Sequence, residues 1–187
     1  MKLDKNHNIK YLVVNNIDEL CGLYITTIGS GSILPNINYP PKGYPSSYWF
    51  SPGTGRVLHE YQLIYITNGE GAFESSGCRP TKVLAGTAIL LFPEEWHTYK
   101  PNKQTGWDEY WVGFNGDYIN QLTKNDFFSR REPLIKIGFK EQLVALFKQG
   151  VEIAKFQKTA HQQILAGIGN LLLSIIFYSE KKQFLQG

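Results

Sequence analysis

Four histidines (His7, His59, His97, His161) and two cysteines (Cys21, Cys78) are the side chains best suited to hold a metal or attack a carbonyl. A transition metal takes imidazole and carboxylate ligands that converge on one wall. His97 ends the run Pro93-Glu94-Glu95-Trp96-His97, and the nearest earlier imidazole is His59, in His59-Glu60-Tyr61. With Glu60 or Glu109 these make a conceivable two-histidine, one-carboxylate set. No His-x-His brings two imidazoles together, so no metal is expected; the alternatives for His97 are contact with a ligand or with a loop. Nucleophilic chemistry is no better served. Cys21 reads as part of a strand-like run, Glu19-Leu20-Cys21-Gly22-Leu23-Tyr24, where it would be buried and inert. Cys78 lies in a turn beside Arg79, whose charge would lower a thiol pKa, but no histidine adjoins it. A Gly-x-Ser-x-Gly elbow and a Walker loop are absent. Thr67-Asn68-Gly69-Glu70-Gly71 opens no helix and reads as a hairpin turn. No catalytic residue and no cofactor are expected. Glu109 is a candidate of another kind, because a carboxylate between Trp107 and Trp111 is costly to bury unpaired. It either points outward from its strand or meets a partner in a pocket.

The elements that must position these residues divide the chain in two. Residues 1–116 carry short apolar or alternating runs: Tyr61-Gln62-Leu63-Ile64-Tyr65-Ile66-Thr67, Val83-Leu84, Ala88-Ile89-Leu90-Leu91-Phe92 and Glu109-Tyr110-Trp111-Val112-Gly113-Phe114. Turn chemistry at Ser76-Gly77, Ala85-Gly86 and Pro101-Asn102 separates them, which predicts an antiparallel sandwich or barrel. Residues 35–52 hold five prolines and read as a loop. In the run 61–67 both faces are apolar, so alternation does not say which face points inward. Beyond residue 117 the period becomes helical, first through Phe139, Leu143, Leu146, Phe147, Gly150, Ile153 and Ala154. A second helix, over about 160–181, carries two stripes: Ile164, Ile168, Leu171, Ile175 and Tyr178, and beside them Leu165, Leu172 and Ile176. One stripe can cover the β unit; the other needs the preceding helix or another chain.

Composition narrows the class. Among 187 residues, 14% are aromatic and 19% charged, which excludes a disordered chain. Two cysteines exclude a disulfide scaffold. A formal net charge of +3 is too small to grip nucleic acid, and neither Arg130-Arg131 nor Lys181-Lys182 makes a basic stripe. Residues 1–10 are polar and hold no signal peptide, and the apolar stretch 164–178 is too short for a bilayer. A cytoplasmic protein without a membrane partner is expected.

The segment Gly86 to Tyr99, a glycine turn, an apolar strand, then Pro93 and His97, is similar to the second conserved motif of the cupin family. Three ordered blocks extend the likeness. They are Gly55-Arg56-Val57-Leu58-His59-Glu60-Tyr61 leading to Gly69, Gly71 and Phe73; Gly86 through Leu91-Phe92-Pro93 to Trp96-His97 and Tyr99; and Trp107-Asp108-Glu109-Tyr110-Trp111-Val112-Gly113-Phe114. Together they resemble the N-terminal sensing domain of AraC-type transcription regulators, over roughly residues 20–180. The resemblance implies a mostly β fold with C-terminal helices: a cupin-like double-stranded β-helix barrel (a jelly roll) followed by a two-helix dimerisation element. It divides the chain into an N-terminal arm (1–20), an effector-binding barrel (21–116) and a linker with a helical hairpin (117–187). A C-terminal helix-turn-helix DNA-binding domain is expected outside this chain. The implied partners are a small effector, such as a sugar, and a second copy joined through Ile164, Ile168, Leu171, Ile175 and Tyr178. DNA would be met only through that further domain. The motifs carry the ligand-binding role onto Asn68, His97, Tyr99, Glu109 and Trp111. Asn68 stands where a guanidinium is expected and Glu109 where an imidazole is. A metal-dependent cupin enzyme, an isomerase or dioxygenase, is the alternative.

Overall fold

A computed structural model describes residues 7–40 and 48–186. The first six residues of the expected arm, residues 41–47 of the proline-rich loop and Gly187 lie outside the described residues. The elements run β1 (His7–Tyr11), α1 (Asn16–Glu19), β2 (Tyr24–Ile33), β3 (Arg56–Val57), β4 (Tyr61–Ser75), β5 (Cys78–Leu84), β6 (Thr87–Leu91), β7 (Trp96–Pro101), β8 (Trp107–Asn115), α2 (Asp117–Lys124), β9 (Leu134–Lys136), α3 (Glu141–Phe156) and α4 (His161–Gln186). The fold is mostly antiparallel β with C-terminal helices, as expected. One layer has the order β1-β2-β8-β4-β6-β9, and β3, β5 and β7 form the other; among the described residues the network does not close into a cylinder.

Strand β4 joins the layers. Its first part pairs with β6 and β8, and residues 70–75 pair with β5 and 71–75 with β7. The expected hairpin turn at 67–71 is therefore not a turn. The ladder shifts register between Ile66 and Asn68, and the chain continues in the same direction into the second layer. Gly69, at φ +77, lets it do so: a Cβ there would lie 2.2 Å from the Gly106 carbonyl oxygen.

The apolar residues form two cores. Ile64, Ile66, Phe73, Tyr99, Trp107 and Trp111 belong to the core between the two strand layers. Leu63, Tyr65, Leu90, Val112 and Phe114 face the other way, against Phe147, Leu165, Leu172 and Ile176 of the helices. Both faces of the 61–67 run are apolar because one lines the core between the strand layers and the other carries α3 and α4. Gln162 pins α4 at its start: its side chain accepts from Ile25 N–H (3.0 Å) and donates to the Ile25 carbonyl (2.8 Å). It thereby supplies a strand's pairing beside the irregularity between Ile25 and Thr27. By length and mean hydropathy, 161–182 would pass for a membrane span, but half of that window is buried inside this fold. Of the α4 stripe expected to meet another chain, Ile164, Leu171 and Tyr178 face solvent, Ile175 is half-buried, and Ile168 is turned into the chain's own core.

Candidate ligand pocket

Strand β8 lies between β2 and β4, and its side chains alternate between the two cores. Tyr110 and Val112 face the helices, whereas Glu109 and Trp111 point between the strand layers. The Trp111 ring lies over β2 because its partner there is Gly29, where a Cβ would come within 2.4 Å of it. Glu109 and Trp111 meet Tyr99 of β7, Gln62 of β4 and Thr27 of β2 around a cavity of ≈ 30 Å³. Tyr39, Tyr48 and Phe50, from the proline-rich loop, complete its wall. Three of the five expected ligand-binding residues therefore converge: Tyr99, Glu109 and Trp111.

The other two lie elsewhere. Asn68 is exposed on the β4 bulge and donates to Asp108 at 3.2 Å, outside the cavity. His97 is buried but stands behind the cavity wall, its ring stacked on Tyr99 with centroids 6.2 Å apart. Its Nδ1–H faces the Glu95 carbonyl (3.0 Å), and its Nε2 accepts from Arg56 Nε–H (3.2 Å). Burial first, and the Arg56 charge second, pull its pKa down to about 4, so it serves as a neutral acceptor.

Arg56 is the site residue that sequence reasoning passed over. It lies on the two-residue strand β3, directly opposite His97, and brings a guanidinium into the cavity from a strand other than the one the motif alignment suggested. Its Nη2 donates to Tyr99 Oη (2.8 Å) and Gln62 Oε1 (3.2 Å), and Nη1 donates to the Tyr48 carbonyl. The guanidinium also lies 4.6 Å over the Phe50 ring. These partners are all neutral. The available signal was an arginine between a glycine turn and an apolar strand, within the quoted motif itself.

Glu109 shows the opposite condition. It is 4% exposed, and its Oε2 has no hydrogen-bond partner. Burial pushes its pKa up to about 8; the Arg56 charge and the nearby Trp107 indole draw it partly back. That indole Nε1–H lies short of hydrogen-bond geometry and is itself unpartnered. The Thr27 hydroxyl, also on the cavity wall, lacks a partner too. The cavity thus offers a neutral carboxyl, a hydroxyl and a guanidinium between aromatic faces, a set suited to ligand hydroxyl groups.

The remaining candidates do not form a second centre. Among the described residues, no three His, Cys, Asp or Glu side chains are grouped to hold a metal ion. His59 is at the surface, 2.5 Å from Glu94. Glu60 is buried and accepts from Tyr48 Oη at 3.1 Å. Cys21, expected in a strand, is exposed in the turn after α1; Gly22, at φ +80, delays the strand to Tyr24. Cys78 is half-buried at the start of β5.

A family model described as AraC-like ligand binding domain matches residues 50–178. Comparison with curated proteins gave no match. Similar solved structures include YhaK from Escherichia coli, 15% identical, covering 59% of this chain and 44% of that one at a TM-score of 0.41. An RmlC-like cupin family protein from Methanocaldococcus jannaschii is 10% identical, covering 63% and 88% at 0.40. A Cupin 2 conserved barrel domain protein from Salinispora arenicola is 16% identical, covering 66% and 88% at 0.37.

Proposed function

Because the chain belongs to the family of AraC-like ligand binding domains, we propose that it is the sensing and dimerising part of a transcription regulator that responds to a sugar or related metabolite. In this reading residues 21–116 hold the effector, residues 1–20 are an arm, and 117–187 link and dimerise. DNA is met through a helix-turn-helix domain outside these residues, and the protein works in the cytoplasm, as a binder rather than an enzyme.

The observation that carries the ligand assignment is the orphaned Glu109 Oε2, buried on the wall of a cavity whose lining also holds the orphaned Thr27 hydroxyl. A buried polar group without a partner costs about 1–3 kcal/mol. A ligand hydroxyl bonded to Glu109 removes that cost there, and Tyr99 and Trp111 offer aromatic faces to the C–H side of a sugar ring. Effector binding then shifts the balance between two arrangements of the dimer by its differential affinity for them.

Titration calorimetry and thermal shift against a panel of pentoses, hexoses and their alcohols test the reading. One sugar should stabilise the domain, by about 2.7 kcal/mol at a hundredfold excess over Kd. Glu109→Leu, which removes the carboxyl at similar volume, should weaken that sugar at least about tenfold. A panel without any stabilisation removes sugars as the ligand class. Stoichiometric iron, manganese or zinc in protein purified without chelator would turn the assignment toward a metal-dependent enzyme.

A further inference from the structure

Tyr39 borders two spaces at once. On one side is the ≈ 30 Å³ cavity with Arg56, Glu109 and Trp111. On the other is an open groove of ≈ 740 Å³, walled by Leu34, Ile37, Ala72, Pro80 and Pro101, to which Tyr39 also contributes. The Tyr39 ring packs against Tyr99, Phe50 and Trp107, with centroids 6.0, 6.1 and 6.2 Å apart. A cavity of this size holds one water or one ligand hydroxyl, while small-molecule sites occupy roughly 300–1,000 Å³. The unsatisfied atoms are in the small space, and the room is in the large one.

We propose that Tyr39 is a displaceable partition, and that the effector occupies the joined space. A terminal hydroxyl reaches Glu109, and the body of the ligand replaces the Tyr39 ring against Tyr99 and Trp107. This rests on the sensor reading above and sharpens its ligand class: a neutral molecule with a hydroxyl-bearing end and a C–H face broad enough to lie on two aromatic rings. It also predicts that affinity is lowered by the fraction of molecules in which the partition is closed.

The partition is testable without knowing the effector, because Trp107 and Trp111 lie behind it at 1% and 7% exposure. With Trp49 and Trp96 replaced by phenylalanine, acrylamide quenching reads those two rings alone. Tyr39→Ala is expected to raise their Stern–Volmer constant several-fold, while Tyr39→Phe stays near the parent. A Tyr39→Ala variant that melts like the parent and quenches no more than it does would overturn the proposal. If alanine abolishes cooperative melting, Tyr39→Val takes its place under the same criterion. Titration of the sugar panel on the same variants separates the two readings. Increased quenching with no sugar bound keeps the partition and sinks the sugar assignment. A sugar bound as tightly by Tyr39→Ala as by the parent, with unchanged quenching, keeps the sensor and sinks the partition. A sugar bound several-fold more tightly by Tyr39→Ala, together with the increased quenching, supports both.

Discussion

Glu109 and His97 are both buried, but burial acts on them in opposite ways, and the pH dependence of folding follows. Folded Glu109 keeps its proton up to about 8, whereas unfolded it releases it near 4.5. Its contribution to stability is complete below the unfolded value and is lost as pH rises through that interval. His97, neutral when folded down to about 4, contributes fully above its unfolded value of 6.5 and loses that contribution as pH falls. From 4.5 to 6.5 the two slopes oppose each other; from 6.5 to 8 Glu109 acts without His97. Glu109→Gln removes the carboxyl and keeps the shape. Its unfolding free energy, from urea denaturation, should gain steadily on the parent from about pH 5 to about pH 8 and level off above. A difference that does not vary with pH would mean that Glu109 is already ionised in the folded domain. At this scale the sequence was legible where a residue's cost was visible: a carboxylate between two tryptophans demanded an explanation. It was silent on Arg56, whose importance arises only when β3 and β7 pair and set it opposite His97.

The elements themselves were legible even where a segment is buried on both sides; which face of such a segment points inward was not. Runs such as 88–92 and 109–114 announced strands, and helical spacing announced α3 and α4. The turn residues at 67–71 misled, because Asn-Gly chemistry serves a bulge as well as a reversal, and only the partners of β4 distinguish them. Strand β2 is interrupted by glycines that make room for neighbours such as Trp111, which weakened its pattern. Helix α4 also needs a contact that periodicity cannot reveal. Gln162, 2% exposed, satisfies both backbone groups of Ile25, which is itself fully buried. Gln162→Leu keeps the apolar fit and leaves that N–H and carbonyl without partners. The loss should be on the order of 3 kcal/mol, seen as a lower urea midpoint at an unchanged slope. A loss below about 0.5 kcal/mol, the size of an ordinary surface substitution, would show that water or a local shift satisfies Ile25 instead.

At the scale of the whole molecule, the outer face of the larger strand layer is covered by α3 and α4, and the outward side of α4 is left with an apolar row. Ile164, Leu171 and Tyr178 are 53%, 44% and 65% exposed, and open space lies over Gly167 between the first two. Recurring every seven residues, they form a narrow seam of the kind that packs against a partner helix. Residue type alone placed Ile168 on that seam as well; at 7% exposure it belongs to the chain's own core. The distinction gives a pair of variants with opposite expectations. Leu171→Glu adds a charge where the single chain exposes its side chain, so the monomer should melt close to the parent while dimers seen by sedimentation dissociate. Ile168→Glu buries an unpaired carboxylate inside the chain, and should cost folding itself whatever the association state. If the parent is monomeric at high concentration, or if Leu171→Glu still sediments as a dimer, α4 is not the contact between copies.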